Sequence, residues 1–480
     1  MLMNDISPAS TLVADQQAPL RRVLIETWGC QMNVADSERM LALLATDNYQ
    51  ATLVPEEADL IILNTCHIRE KARHKVVSRL GRLQELRHTN KDLTIAVTGC
   101  VAQAEGKSLL ASHAIDIIVG PGKIAELPAL VANHKQWKQK AIAIGFSKAE
   151  LLDPADQTCQ KSALEPPPSL EGKNPVARFV TIQQGCNNFC TFCVVPFTRG
   201  SEISLRPRTI RAEVAAMLAQ GVKEITLLGQ NVNSYGHDLL AASSPAGEEL
   251  LAAPEEQPFV ALLKDLVTLP GLESLRFTTS NPHDMTAELA ALFATEAKLG
   301  KHYHLPLQSG SDRILQAMKR KVTRADYLSK ISWLRQAVPD MALSTDLIVG
   351  FPGESDEDFA DTLSILAEVR YSFVFAFTYS PRKGTAAIRF KEQVPEAIKQ
   401  ERLRRLNLLQ DQITLEENQA EVGKIRQVLV HYRSRKNPLY FYGRTEHYRL
   451  VRIRSDQEIR GQVLGLTILA ANKIALAAEY

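Results

Sequence analysis

Gly185-Cys186-Asn187-Asn188-Phe189-Cys190-Thr191-Phe192-Cys193 sets three cysteines at C-x3-C-x2-C spacing directly behind an apolar run over 177–182. The run reads as a strand, so the cysteines occupy the loop at its C-terminal end. Thiolates are soft donors, and one loop offering three of them invites an iron–sulfur cluster or zinc. Structural zinc takes a fourth protein ligand, and the next histidine is as distant as His237. A four-iron cubane on three thiolates keeps one iron open to a substrate or cofactor, and this is the reading adopted; zinc and unligated thiols are the alternatives.

Toward the N-terminus the same punctuation recurs three times. Apolar runs over 22–28, 58–65 and 93–99 end at Cys30, Cys66 and Cys100, with helical patterns over 37–44 and 69–87 between them. Alternation of strand and helix implies a parallel sheet, whose ligands gather at the carboxyl ends of the strands. One cysteine at a strand end reads as core packing. Three at equivalent positions read as a second three-thiolate cluster, with core thiols or a redox pair as the alternative. A fourth strand over 116–119 closes this first domain. A loop-like linker follows over 146–173, marked by Pro166-Pro167-Pro168 and holding Cys159 as a solvent-facing thiol.

Beyond the opening loop, strand-like runs over 224–231, 272–280, 302–307, 342–349 and 373–379 alternate with helical patterns. With 177–182 they make six βα units, which are expected to curl into a barrel or open partial barrel with function on the loops after the strands. Those loops include Gly229-Gln230-Asn231, Thr278-Thr279-Ser280-Asn281, Gln308-Ser309-Gly310-Ser311 and Gly350-Phe351-Pro352-Gly353-Glu354. Each reads equally as ligand contact or plain turn, and Ser355 with Asp358 fits a helix capping box. The segment over 237–258 reads as an insertion without chemistry. A charged helix over 395–421 leads to short strands over 427–432, 439–443, 448–454 and 462–467, hence a small β-barrel. In it Arg433, Arg435, Lys436, Arg444, Arg449, Arg452 and Arg454 interleave with Tyr432, Tyr440, Tyr442 and Tyr448. This mixture suits RNA phosphate contact and base stacking, or else a solvated edge. Arg69, Lys71, Arg73, Lys75 and Arg79 on the helix after Cys66 extend that surface.

Composition sets outer bounds. A chain of 480 residues is expected to hold about three domains. Hydrophobic residues at 45% and charged residues at 23% are those of an ordinary globular protein. A net charge of +2 excludes a globally basic nucleic-acid binder and makes any such surface local. Neither a signal peptide nor an apolar run long enough to span a bilayer is recognisable, so a cytoplasmic location without membrane contact is expected, where seven cysteines favour metal ligation over disulfides.

These residues carry a resemblance. Residues 185–199 resemble the cluster motif of the radical S-adenosylmethionine (SAM) superfamily, and the chain from about residue 21 onward is similar to the methylthiotransferase family within it. Gly29-Cys30-Gln31-Met32-Asn33, Asn64-Thr65-Cys66, Ile68-Arg69-Glu70-Lys71-Ala72 and Gly99-Cys100-Val101-Ala102-Gln103 are most similar to the branch acting on isopentenylated adenosine in tRNA. The resemblance implies an α/β chain: a disordered N-terminus over 1–20, a parallel α/β cluster domain over 21–138, a radical SAM (β/α)6 partial TIM barrel over 174–412, and a small β-barrel TRAM domain that binds RNA over 413–480. It implies two [4Fe–4S] clusters. Cys186, Cys190 and Cys193 would hold the one that binds S-adenosylmethionine, with Gly229, Gln230, Asn231, Ser309 and Gly310 as further cofactor contacts; Cys30, Cys66 and Cys100 would hold an auxiliary one.

The implied reaction converts N6-(dimethylallyl)adenosine at position 37, 3′ of the anticodon, to its 2-methylthio form. A 5′-deoxyadenosyl radical abstracts hydrogen from C2, a second S-adenosylmethionine supplies the methyl group, and an external electron donor, which no motif identifies, supplies the reduction. No acid–base dyad is implied. The alternatives are a sister enzyme acting on threonylcarbamoyl-adenosine and a non-catalytic iron–sulfur RNA-binding redox sensor. Trp28 stands where the family has Tyr or Phe, His67 where a small residue is commoner, and Arg199-Gly200-Ser201-Glu202-Ile203-Ser204-Leu205-Arg206-Pro207 is one residue longer than R-G-x-E-x-S-R-P, so no role passes to Arg206.

Overall fold

The computed structural model describes residues 20–67, 70–112, 115–146, 175–241 and 256–480. The expected disordered start, the linker with Cys159 and the middle of the 237–258 insertion lie outside the described residues.

The N-terminal sheet contains β1 (Arg21–Trp28), β2 (Tyr49–Ala51), β3 (Leu60–Thr65), β4 (Thr94–Gly99), β5 (Ile117–Val119) and β6 (Ala141–Ala143), all parallel in the order β2-β1-β3-β4-β5-β6. Its central strands are apolar without alternation because helices cover both faces. Ile61, Leu63, Ile95 and Val97 pack on one side with Val76, Leu80 and Leu83 of α2 (Glu70–Thr89) and with Val101 and Leu109 of α3 (Cys100–Ser112). Leu60, Ile62 and Ala96 pack on the other with Met40, Leu41 and Leu44 of α1 (Gln31–Ala45) and with Leu127 and Val131 of α4 (Leu127–Trp137). Helix α1 begins six residues before its expected start, because Asn33, Asp36 and Ser37 are polar yet buried and mask the helical period. The three-residue strands β2 and β6 are too short to show one, and β6 carries the sheet past the expected boundary at 138.

After β7 (Ala177–Thr181), the short strands β8 (Gln183–Gln184) and β9 (Ile203–Ser204) pair antiparallel with each other. The remaining strands are β10 (Glu224–Leu228), β11 (Ser274–Phe277), β12 (His302–His304), β13 (Ala342–Val349) and β14 (Phe373–Thr378). They form two parallel arcs, β7-β10-β11 and β12-β13-β14, linked by a bridge between Leu275 and Leu299. Helices Pro207–Ala219, Pro258–Val267, Ala287–Thr295, Arg324–Ala337, Asp356–Val369 and Glu396–Gln419 follow the six strands in turn, so the arcs make a partial barrel with β7 and β14 as its outer strands. Ser355 and Asp358 form the expected capping box. Helix Glu396–Gln419 is one uninterrupted 24-residue element, and the expected boundary at 412 falls inside it.

The C-terminal sheet curls around Val428, Val430, Phe441, Val451 and Ile453. Its strands are β15 (Ile425–Arg433), β16 (Tyr440–Thr445), β17 (Leu450–Arg454), β18 (Val463–Thr467), β19 (Ala470–Ala471) and β20 (Leu476–Glu479), in the order β18-β15-β16-β17-β20-β19. A register shift between Val430 and Tyr432 bends β15. This sheet docks at the N-terminal ends of the barrel strands, the end opposite the cysteine loop. There Arg276 donates from Nε to Glu224 Oε2 at 2.7 Å and from Nη2 to the Thr445 carbonyl at 3.0 Å, while the His302 ring stacks on Tyr448 at 5.2 Å. Burial pushes the Glu224 carboxyl up, but Arg276 and His431 outweigh it and hold it far below the usual range. Among the described residues no helix is long and apolar enough to cross a membrane.

Removing one partner of a buried ion pair strands the other charge. Arg276→Met is therefore expected to destabilise the protein by about 3–5 kcal/mol in chemical denaturation, and a loss below about 1 kcal/mol, the range of a surface pair, would contradict the docking role.

Candidate metal centres

The parallel register Trp28↔Thr65↔Gly99 brings the ends of β1, β3 and β4 side by side, and Cys66 and Cys100 are the next residues on their strands. Cys30 follows one residue later as the N-cap of α1, and Cys100 opens α3. Cys66 and Cys100 are buried and Cys30 is half-buried. Two of the three thiols thus sit where helix N–H groups and dipoles favour an anion.

A buried amide belt holds the strand ends together. Asn33 Nδ2 donates to Asn64 Oδ1 at 3.0 Å, and Asn64 Nδ2 donates to the Asn33 carbonyl at 2.7 Å. The glycine before each of two cysteines is required by space. A Cβ on Gly29 would stand 2.7 Å from Cys66 Cβ, and one on Gly99, at φ +85°, would collide with the Thr65 carbonyl. Hydrogen bonding with Cys66 lowers the Cys30 pKa to about 6, against burial and helped by Arg199. Burial pushes the Cys100 thiol up. His67 lies 3.8 Å from Glu105.

The Cys186 loop leaves β8 through Gly185, whose N–H donates to Gln230 Oε1. It is clamped across the top of the barrel: Thr191 N–H donates to the Met318 carbonyl at 3.1 Å, its hydroxyl to the Ala317 carbonyl at 2.9 Å, and Phe192 packs against Ile314, Met318, Phe351 and Tyr379. Each sulfur has a donor. Asn188 Nδ2 reaches Cys186 at 3.6 Å, Arg320 Nη1 reaches Cys190 at 3.6 Å, and the Val195 N–H reaches Cys193 at 3.5 Å. Burial pushes the Cys186 thiol up and the Cys193 thiol to about 12, so as free thiols they stay protonated and a metal must displace the protons. Among the described residues no three His, Cys, Asp or Glu side chains are arranged to hold a single metal ion. A cubane takes one thiolate at each of three irons, whereas structural zinc takes four ligands on one ion.

Beside the loop lies a buried polar nest that the sequence did not reveal as a unit. Glu202 accepts from the Ser234 hydroxyl at 2.7 Å, Asn231 Nδ2 donates to Asp284 at 2.7 Å, and the Ser204 N–H donates to Asp238 at 3.0 Å. Burial, reinforced by Asp238 and Asp284, raises the Glu202 pKa to about 7. Gln183 Oε1, Asn231 Oδ1 and Asp238 Oδ1 are buried with no hydrogen-bond partner among the described residues, as expected of a pocket whose ligand supplies the missing bonds. Asp238 and Gln257, at the two ends of the expected insertion, join this nest.

The expected cofactor loops divide. Gly229 and Asn231 stand in the nest and Gln230 anchors the cysteine loop. Ser309 and Gly310 instead turn to helix Asp356–Val369, where Gly310 N–H donates to Thr362 Oγ1 at 2.9 Å. Gly350 N–H donates to Glu354, which pairs with Arg402 at 2.6 Å, so that loop is turn chemistry. On the C-terminal sheet the Tyr432 and Tyr442 rings stack at 5.4 Å, and Arg452 lies over Tyr440 at 5.0 Å. Arg444 donates to the Tyr448 carbonyl, Arg449 bonds Asn418, and Arg79 bonds Glu26, so these three have partners within the protein.

Residues that follow the two cysteine sets pair across the domain junction. Arg199, six residues after Cys193, donates from Nη2 to Asp36, six residues after Cys30, at 2.6 Å, and Arg178 pairs with Glu38 at 2.9 Å. All four side chains are nearly inaccessible to water.

Comparison with known proteins gives two family matches: Uncharacterized protein family UPF0004 over residues 22–120 and the Radical SAM superfamily over residues 180–366. Curated proteins named tRNA-2-methylthio-N(6)-dimethylallyladenosine synthase are similar over nearly the whole chain. That of Geotalea uraniireducens is 43% identical over 457 residues, 95% of this chain and 98% of the relative. That of Moorella thermoacetica is 41% identical over 458 residues, 95% and 97%. A solved radical S-adenosylmethionine methyltransferase, TsrM from Kitasatospora setae, with cobalamin and a [4Fe-4S] cluster bound, matches with a TM-score of 0.53 over 77% of each chain; at 13% identity it shows the fold alone.

A carboxyl whose pKa climbs from 4.5 to about 7 on folding opposes the fold increasingly as pH rises through that interval. Glu202→Gln, which keeps an acceptor for Ser234, is expected to gain thermal stability over the parent between pH 5 and pH 8. A melting-temperature difference that stays flat with pH would contradict the buried carboxyl.

Proposed function

Because the chain belongs to the tRNA-2-methylthio-N(6)-dimethylallyladenosine synthase family, we propose that it is a radical SAM tRNA methylthiotransferase converting N6-(dimethylallyl)adenosine at position 37 to its 2-methylthio derivative. The observation that carries this reading is the pair of separate three-cysteine sets tied through Arg199 and Asp36 at one junction. A single set would serve many reactions; two sets joined at one junction suit a reaction that couples hydrogen abstraction to sulfur insertion. Cys186, Cys190 and Cys193 are assigned to the cluster that binds S-adenosylmethionine, and Cys30, Cys66 and Cys100 to the auxiliary cluster. Both sites fit such groups by their soft donor sets.

Bound there, the clusters and S-adenosylmethionine supply one-electron reduction, hydrogen abstraction at C2, the sulfur and the methyl group. The chain's own residues bind, orient and exclude water. Asn188, Arg320 and the Val195 N–H set the donors around the first thiol set, and such hydrogen bonds to sulfur tune a cluster's potential. Gln183, Asn231, Glu202 and Asp238 offer polar contacts to the cofactor, with Gln230 holding the loop beside them. Phe375 and Phe377 alternate on the face of β14 away from its helices and are 46% and 38% exposed. They give the open edge of the barrel an apolar wall suited to a prenylated base that has left its stack. Tyr432, Tyr442 and Arg452 offer stacking and phosphate contact to the RNA. A tRNA substrate places the enzyme in the cytoplasm.

Two measurements test the reading. Anaerobically reconstituted protein is expected to hold about eight iron and eight sulfide per chain, and the Cys30→Ala, Cys66→Ala, Cys100→Ala triple variant about four; a triple variant that keeps the full content refutes the auxiliary assignment. In tRNA from a deletion strain, mass spectrometry is expected to show isopentenyladenosine without its 2-methylthio group. Its persistence there, with loss from threonylcarbamoyl-adenosine, would transfer the protein to the sister activity.

A further inference from the structure

We infer that Arg199, carried by the loop of the S-adenosylmethionine-binding set, is a positioning residue for the other set: its guanidinium presents Nη1 to an acceptor sulfur of the cluster held by Cys30, Cys66 and Cys100. The inference rests on the ligand assignment made above.

Three observations carry it. Arg199 is only 3% exposed, so every N–H of its guanidinium must find an acceptor inside the protein or lose the hydration it had. Nη2 is satisfied by Asp36 at 2.6 Å, and Nη1 is buried with no hydrogen-bond partner among the described residues. The missing acceptor lies on the N-terminal side of the junction. The guanidinium stands near enough to Cys30 and Cys100 to favour both thiolates, with the Cys100 sulfur within its hydrogen-bonding reach. Arg320, not Arg199, is the cation beside the nearer set in sequence, reaching Cys190 at 3.6 Å.

Charge supports the same placement. Asp36 is buried and its carboxylate acts against a thiolate at Cys100, so a cation is needed beside the two. Arg199 is that cation, and its fork is long enough to hold the carboxylate with one nitrogen and face a sulfur with the other. A single side chain thus fixes the S-adenosylmethionine loop relative to the auxiliary cluster and adds a hydrogen bond to that cluster alone. Hydrogen bonds to cluster sulfurs and nearby positive charge favour the reduced state.

The test uses full-length protein, reconstituted anaerobically, as the parent, Arg199→Gln, Arg199→Lys and Arg178→Gln, the last removing the other interdomain ion pair, with Glu38. Iron content is counted and both cluster midpoint potentials are measured by redox titration with electron paramagnetic resonance. Arg199→Gln is expected to lower the auxiliary potential and leave the other cluster's unchanged, Arg199→Lys to give a smaller fall, and Arg178→Gln to move neither. An auxiliary potential unchanged in Arg199→Gln, an equal shift in both clusters, or an equal shift in Arg178→Gln overturns the inference. If Arg199→Gln loses the auxiliary iron, Arg199→Lys decides by the same criteria. Parent protein holding about four iron instead of about eight would fail the ligand assignment itself, a result separate from any effect of Arg199.

Discussion

Three parallel strands that end in one register are the constraint on which the N-terminal half of the site depends. Trp28, Thr65 and Gly99 are Cα partners, and nothing but that alignment puts Cys30, Cys66 and Cys100 within reach of one another across 70 residues of chain. The alignment is enforced from below by apolar strands buried on both faces and from above by the Asn33–Asn64 belt. A one-residue slip of β3 would reverse the facing of Ile61 and Ile62 and withdraw Cys66 together. Core packing and metal ligation are therefore one specification.

The second set is built on a different principle. Its cysteines come from nine residues of one loop, so the fold has only to hold that loop still, and it does so through Thr191, Phe192 and Gln230. The expensive part is the junction. Buried charge is tolerated only when paired, and Arg178–Glu38 and Arg199–Asp36 are paired across it. Apolar packing would hold the domains as firmly but would allow sliding; directional ion pairs fix which residues face each other. The C-terminal sheet is fastened by the same device at the far end of the barrel, through Arg276 and Glu224.

Both cysteine sets and all six barrel strands were legible in the sequence, because a strand announces itself in consecutive residues and a cysteine at its end needs no partner to be noticed. Glu202, Asp238 and Asp284 were not, since each is an ordinary acid until strands β9 and β10 and the loop after β11 bring them together. Arg199 was quoted within a motif without a role, because its partner lies 163 residues earlier. Ser309 and Gly310 are a different case. A small polar loop after a strand reads the same whether it cradles a ligand or lets a helix approach, and here Thr362 fills that space. Strands β2, β6 and β19, at two or three residues, fall below the length at which periodicity exists.

The division of labour between the two thiol sets is the central claim. It is tested most directly by anaerobic turnover of the reconstituted enzyme with a dimethylallylated anticodon stem-loop RNA, alongside the variant lacking Cys30, Cys66 and Cys100. The parent should yield both 5′-deoxyadenosine and 2-methylthio product, and the variant 5′-deoxyadenosine without methylthio product. Methylthio product from the variant, or 5′-deoxyadenosine without product from the parent, would contradict the account.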